Sequence, residues 1–137
     1  MSEVEEKLRS AYRAWHDSKA SDPSAWMALF GDDIVVKSVG DGVPGIEFSM
    51  PRRGREEATR YFADIARDWE MSFIEADEFV CDGDRVVVLG RCGWKHRGTG
   101  KDAKSPFAHF WRFRGGKAAE FREFFDTACA LAAAQPG

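Results

Sequence analysis

The stretch that decides the fold is FAHFWRFRGG at residues 107–116, which is followed by FREFFDT at residues 121–127. Large aromatic residues alternate with other residues on both sides of the Gly115-Gly116 pair, a pattern typical of a β-hairpin. The period of two places His109 on the aromatic face of the first strand and Glu123 on the aromatic face of the second. Ionisable side chains set among aromatic rings are typical of a lined pocket rather than of a plain core.

Composition limits the classes of protein to which the chain can belong. Its 137 residues are enough for one domain with a core, which we predict to span residues 1–137. The net charge of −3 gives no argument for nucleic acid or an anionic membrane as a partner. No apolar run approaches the roughly 18 residues of a membrane span. The three cysteines lack the spacing of a metal site or a disulfide framework, which predicts reduced thiols in a cytoplasmic protein. We also expect no cofactor.

Helices and strands follow each other in an order that predicts the fold class. Helical periodicity predicts a helix from the start of the chain to about residue 20, a short helix around Trp26, a third helix over 56–69 and a terminal helix over 128–134. Strand periodicity predicts strands over 34–39, 46–49, 71–81, 85–97, 103–114 and 117–125. Because the helices at the front must cover one face of the long sheet, we predict an α+β fold. It is a curved antiparallel sheet wrapped around three N-terminal helices, shaped like a cone with an internal pocket.

The two faces of this sheet are predicted from the same alternation. Arg91 is assigned to the concave face together with Val87 and Leu89. The outer face is assigned Val86, Val88, Cys92, Trp94, Phe110, Arg112 and Phe124. Such a face is too apolar to meet solvent, so we expect a second copy of the chain to cover it as a homodimer.

Several segments resemble the nuclear transport factor 2-like superfamily. They are ALFGDDIVV at residues 28–36, GREE at 54–57, GDRV at 83–86 and HFWRFRGGK at 109–117. The sequence is most similar to the bacterial SnoaL-like and ketosteroid isomerase-like members. The resemblance implies a cone-shaped, cystatin-like α+β fold that is usually dimeric. It does not imply one function, because the fold hosts isomerases, cyclases, epoxide hydrolases, dehydratases and non-catalytic binders.

Two catalytic branches of this superfamily can be compared with the chain. Steroid isomerases carry a general-base Asp where this sequence has Ser38, an oxyanion-hole Tyr near Ala14, and a protonated Asp near His109. These three departures argue against classical ketosteroid isomerase activity. Enzymes similar to limonene-epoxide hydrolase carry an Arg that matches Arg91 and an Asp that matches Glu123. Their second Asp falls on Gly93, and their water-binding Asn falls on Ser38, so this match is incomplete.

The candidate catalytic residues are Arg91, His109, Glu123 and Ser38. On the concave face Arg91 would be a buried charge in need of a partner, and Glu123 is the nearest candidate. A carboxylate kept ionised by arginine, beside a histidine, could hold and deprotonate water or a substrate C–H group. Ser38 could add a hydrogen bond. A buried ion pair that only satisfies itself explains the same residues, and the sequence leaves both interpretations open.

Aromatic residues supply the candidate binding surface for a small apolar molecule. They are Trp15, Trp26, Phe30, Phe62, Trp69, Trp111, Phe121 and Phe125. At these spacings aromatic residues are most often core, so a ligand cage and a filled core both remain open. The leading hypothesis is a cofactor-free acid/base enzyme, such as an isomerase, a cyclase or an epoxide hydrolase. The alternative is a non-catalytic ligand-binding or dimerisation module.

Overall fold

The helices and strands lie close to their predicted positions in a computed structural model that describes residues 2–137. The helices are α1 (Glu3–Ser18), α2 (Ser24–Leu29), α3 (Gly54–Asp68) and α4 (Thr127–Ala134). The strands are β1 (Phe30–Ser38), β2 (Arg52–Arg53), β3 (Trp69–Asp82), β4 (Arg85–His96), β5 (Asp102–Arg114) and β6 (Lys117–Phe125). Within residues 2–137, none of the helices has the length and apolar character that crossing a membrane requires.

The six strands form one sheet in the order β2-β1-β6-β5-β4-β3. Neighbouring strands are antiparallel except for β1 and β6, which pair in parallel, so the sheet is mixed rather than purely antiparallel. The ladder between β3 and β4 shifts register between Met71 and Phe73 and again between Ala76 and Glu78. Such irregularities bend a strand and increase its twist. They contribute to the curvature of the sheet around the helices.

Two amphipathic helices fill the concave side of the sheet. The helix α1 packs against β3 and buries Leu8, Tyr12 and Trp15, while α3 packs against β1 and buries Tyr61 and Phe62. The backbone N–H group of Glu5 donates to Ser2 Oγ at 3.1 Å, which caps the start of α1. The predicted α+β fold, a curved sheet wrapped around helices, is confirmed.

The predicted strand over residues 46–49 is wrong. Residues Glu47–Ser49 form one turn of 3-10 helix. The fully buried Ser49 hydroxyl donates to the Ile46 carbonyl at 2.5 Å and accepts from the Gly42 N–H group at 2.9 Å. These local hydrogen bonds satisfy the buried backbone of the segment, so it needs no neighbouring strand.

The predicted faces of β4 are inverted. Val86 pairs with Trp111 and Val88 pairs with His109, and both valines are buried on the concave side. Cys92 is also buried, and Trp94 lies on the cavity wall, so the assignment of these four residues to the outer face is wrong. The segment VVVL at residues 86–89 is apolar at every position. Its composition therefore does not distinguish the two faces of the strand, and pairing with β5 decides them.

The outer face of β5 and β6 agrees with the sequence assignment. Phe124 is 45% exposed, and the Arg112 and Arg122 guanidinium groups lie 5.5 Å and 5.4 Å from the centre of the Phe110 ring. Leu89 on β4 adds a further exposed apolar side chain. The second subunit that we expect on this face stays a prediction.

Candidate active site

The concave face of the sheet and the helices enclose a cavity of about 110 Å³. Its wall is largely aromatic, and a few polar side chains interrupt it. All eight aromatic residues named as ligand-contact candidates lie on this wall: Trp15, Trp26, Phe30, Phe62, Trp69, Trp111, Phe121 and Phe125. Their side chains leave open space between them, so they do not form a completely filled core. Their contact with a ligand stays a prediction.

Glu123 is the one carboxylate on the wall that is buried. Its residue exposure is 8%, and it lies near the end of β6, opposite His109 of β5. The Tyr61 hydroxyl of α3 donates to Glu123 Oε2 at 2.7 Å. The other oxygen, Oε1, has no hydrogen-bond partner among the residues described by the structure. Glu123 is therefore a residue of the cavity wall with one acceptor atom that lacks a partner among the described residues.

The surroundings of Glu123 bring the pKa of its carboxyl group close to neutral pH. Burial raises the pKa of the Glu123 carboxyl to about 7, because the charged form loses its hydration. The Tyr61 hydroxyl, which donates to Glu123, and the neighbouring Ser38 hydroxyl act in the opposite direction and limit the rise in pKa. A carboxyl group with this pKa can accept a proton and return it near pH 7, as a general base must.

Ser38 lies beside Glu123 on the neighbouring parallel strand, where the two residues are in register. Its hydroxyl oxygen accepts a hydrogen bond from the Gly40 N–H group at 3.3 Å. The predicted juxtaposition of these two residues is present in the structure. Ser38 is absent from the residues that line the cavity wall, so its place is behind the carboxylate rather than beside a ligand.

His109 belongs to a second polar group on the wall, together with Tyr12 and Trp111. The Tyr12 oxygen lies 2.6 Å from His109 Nδ1, and the Trp111 Nε1–H group donates to the same oxygen at 3.0 Å. Because an indole N–H can only donate, the Tyr12 oxygen accepts from Trp111 and its own hydrogen is free to reach Nδ1. This arrangement favours the neutral His109 tautomer with its proton on Nε2. Burial agrees, since it lowers the pKa of His109 to about 3.

We therefore expect the His109 side chain to stay neutral between pH 5 and pH 8. In a two-dimensional ¹⁵N NMR spectrum of the imidazole nitrogens, His109 should show the Nε2–H tautomer and no titration between pH 5 and pH 8. His16 and His96 lie outside the cavity wall and serve as internal references in the same spectrum. A His109 signal that titrates near the ordinary value of about 6.5 would contradict this expectation.

Arg91 is not part of the site, and its predicted place on the concave face is wrong. Its side chain is 58% exposed on the other side of β4, where it pairs with Glu75 and with Asp77, the latter at 3.2 Å. The inverted faces of β4 explain this position, because Arg91 lies one residue from the buried Cys92. Glu123 consequently has a tyrosine as its partner instead of an arginine. The carboxyl is therefore not held ionised by a neighbouring cation, and burial raises its pKa.

Sequence reasoning missed the roles of Tyr12 and Tyr61. Each lies on the buried face of an amphipathic helix, and a buried tyrosine needs a partner for its hydroxyl group. That signal was available, but the partners come from β5 and β6, far away in the chain. Asp126 also reaches the wall, and its carboxylate accepts from the Cys129 N–H group at 3.0 Å, which caps the start of α4.

Several solved structures are similar to this chain over its whole length. An NTF2-like protein of unknown function from Burkholderia pseudomallei K96243 is 27% identical, covers 98% of this chain and 99% of its own, and has a TM-score of 0.85. An NTF2-like protein from Burkholderia thailandensis E264 is 28% identical over 99% of this chain and 100% of its own, with a TM-score of 0.81. TerC, co-crystallized with polyporic acid, is 23% identical over 97% and 98%, with a TM-score of 0.83.

A comparison with curated proteins gives no significant match. The family model that describes the SnoaL-like domain matches residues 8–121, which include most of α1, most of the sheet and the polar group of Tyr12, His109 and Trp111, and which end two residues before Glu123. Together with the cone-shaped fold shared with NTF2-like structures, this match shows that the chain belongs to the SnoaL-like family of the nuclear transport factor 2-like superfamily.

Proposed function

We propose that the protein is a cofactor-free acid/base enzyme of the isomerase type, which moves a proton on a small, largely apolar molecule. The observation that carries this proposal is Glu123, a buried carboxyl group with a pKa of about 7 and a free Oε1 atom at an aromatic cavity. A group with these properties is suited to take a proton and give it back. Crystals of the fold relative TerC with polyporic acid support the view that the cavity holds an organic ligand.

The proposed step breaks one C–H bond next to a carbonyl group of the substrate. The proton goes to Glu123 Oε1, and the electron pair moves onto the carbonyl oxygen to give an enolate. His109, held neutral by burial, offers its Nε2–H group as a hydrogen-bond donor for that oxygen. Where the substrate has a C=C bond next to the deprotonated carbon, return of the proton to the far carbon of that bond shifts the double bond into conjugation with the carbonyl group and completes an isomerisation. Return of the proton to the same carbon leaves the substrate unchanged.

This step can be tested without knowledge of the natural substrate, because it exchanges substrate hydrogen with solvent. We expect the protein to speed the exchange of C–H hydrogens for deuterium in acetophenone or cyclohex-3-enone in D₂O, followed by ¹H NMR. The part of the rate that depends on protein should rise through a pH of about 7, as Glu123 ionises, and then level off. Buffer alone gives the hydroxide background, which rises steadily with pH.

The alternative function, non-catalytic ligand binding, is supported by the same aromatic wall and needs no proton transfer. Compounds that bind in the cavity but never exchange hydrogen faster than in buffer would favour it and overturn the enzymatic proposal. An exchange rate that depends on protein but does not respond to pH near 7 would exclude Glu123 as the base.

A further inference from the structure

Two buried polar atoms on the wall of the cavity lack a partner within residues 2–137. One is the acceptor Glu123 Oε1, and the other is the donor Trp69 Nε1–H. Both side chains are more than nine-tenths buried, with exposures of 8% and 5%. Leaving such a group unpaired is costly, and native proteins rarely do so without a reason. Two unpaired atoms at one cavity point to a ligand that satisfies both.

The position of Trp69 makes it a separate anchor from the Glu123 group. It begins β3, and its ring packs edge-on against His96 of β4, with ring centres 4.8 Å apart. Phe48 lies between the two anchors, with its ring centre 6.4 Å from that of Trp69 and 6.3 Å from that of Tyr61, which holds Glu123. Phe48 thus packs against both groups, and we expect a ligand that spans them to contact its ring.

The cavity limits the size of such a ligand. Its volume of about 110 Å³ is somewhat smaller than the roughly 150 Å³ of an engineered cavity in another protein that holds benzene. One six-membered ring, with a substituent toward the open side, matches this space, whereas a molecule of several fused rings exceeds it. The aromatic wall favours a flat ring, which can stack or pack edge-on.

We infer that the ligand is a one-ring hydroxy-carbonyl compound whose hydroxyl group donates to Glu123 Oε1 and whose carbonyl oxygen accepts from the Trp69 Nε1–H group. This inference rests on the proposed function because it uses the same cavity and the same carboxylate. It describes how the ligand is first held, before its C–H bond reaches Glu123 Oε1 and its carbonyl oxygen reaches His109. It adds Trp69 as a residue that determines specificity by its N–H group. The apolar ring alone would not distinguish among aromatic compounds of similar size.

Four one-ring probes of similar shape test the inference by titration calorimetry. They are 4-hydroxyacetophenone (both groups), 4-methoxyacetophenone (no hydroxyl donor), 4-ethylphenol (hydroxyl only) and 4-ethyltoluene (neither), with 3-hydroxyacetophenone as a second spacing. We expect one of the two hydroxy-ketones to bind about tenfold or more tightly than either single-function probe at pH 7.5. Equal binding of all the probes would overturn the inference.

The variant Trp69→Phe removes the N–H group and keeps an aromatic ring. It should lose the affinity gained from the carbonyl group, about tenfold, and keep the gain from the hydroxyl group. Trp15→Phe is the matched control, since Trp15 also lines the cavity and should affect all the probes to the same extent. If Trp69→Phe weakens all the probes equally, its role is packing and the inference fails. Deuterium exchange that persists in that case would leave the proposed function standing, whereas selective binding without exchange would refute only the function.

Discussion

Replacing Glu123 by glutamine is expected to lower the protein-dependent exchange of substrate hydrogen by about 10²- to 10⁴-fold, the usual contribution of a general base. Glutamine keeps the size of the side chain and an oxygen that can accept the Tyr61 hydrogen bond. It cannot accept a proton near neutral pH, so the chemical step is lost and the cavity is kept. The measurement is ¹H NMR of deuterium incorporation at pH 8, where Glu123 is largely ionised.

A matched control comes from the same strand. Glu120→Gln also removes one carboxylate from β6, but Glu120 forms ion pairs with Arg112 and Arg122 on the outer face. The exchange rate of this variant should equal that of the parent protein. An unchanged rate in Glu123→Gln, or an equal loss in both variants, would exclude the proposed role of Glu123.

The same substitution should change how stability depends on pH. The pKa of Glu123 is raised in the folded protein, so the folded state holds this proton more tightly than the unfolded chain. The stability gained is fully present below the unfolded pKa of about 4.3 and is lost as the pH rises through about 7. Glu123→Gln should therefore be more stable than the parent at pH 8, at about 1.4 kcal/mol per unit of pKa difference. Urea unfolding at pH 5 and pH 8 measures this difference and confirms that the variant folds.

Replacing Trp111 by alanine is expected to lower the free energy of unfolding by about 3–5 kcal/mol, the range for truncating a large core aromatic residue. Trp111 is only 1% exposed and is the largest of the fully buried side chains. Its ring centre lies 5.4 Å from that of Trp26 on α2 and 4.5 Å from that of Phe121 on β6. The substitution removes contacts between helix and sheet, and it also removes the N–H donor to Tyr12.

Urea denaturation at low protein concentration measures this loss. Phe124→Ala is the control, because Phe124 lies on the adjacent strand β6 but points outward and is 45% exposed. Its substitution should cost less than about 1 kcal/mol. A loss for Trp111→Ala no larger than that of the control would mean that the cavity wall can collapse around the missing ring.

The hairpin of β5 and β6 shows which part of the site can be predicted from local sequence. Aromatic residues alternate with other residues on both strands, and only one phase buries the rings. That phase places His109 and Glu123 on the same face, as observed. Their direct pairing depends in addition on a register shift between Arg112 and Phe113, which the turn at Gly115-Gly116 does not predict. Membership of the family was recognisable from short segments for the same reason, since they combine turn residues with this alternation.

Strand β4 shows where local sequence stops being informative. Residues 86–89 are apolar at every position, so periodicity does not show which of the two sets of alternate residues of the strand faces the core. The choice between them falls to the ladder with β5, in which Val88 opposes His109. This pairing places Arg91 on the exposed side of β4, so Arg91 is not the partner of Glu123 that the sequence predicted.

The sequence by itself determined the order of helices and strands, the aromatic face of the hairpin and the place of His109 and Glu123 on it. Periodicity and turn residues depend only on positions close together in the chain, so the sequence alone reveals them. Only the tertiary structure decided which groups meet the two titratable side chains. Tyr61 reaches Glu123 across 62 positions of the chain, and Tyr12 reaches His109 across 97. Because burial and these distant hydroxyl groups set the pKa values, the chemistry of the cavity depends on contacts that no local pattern contains.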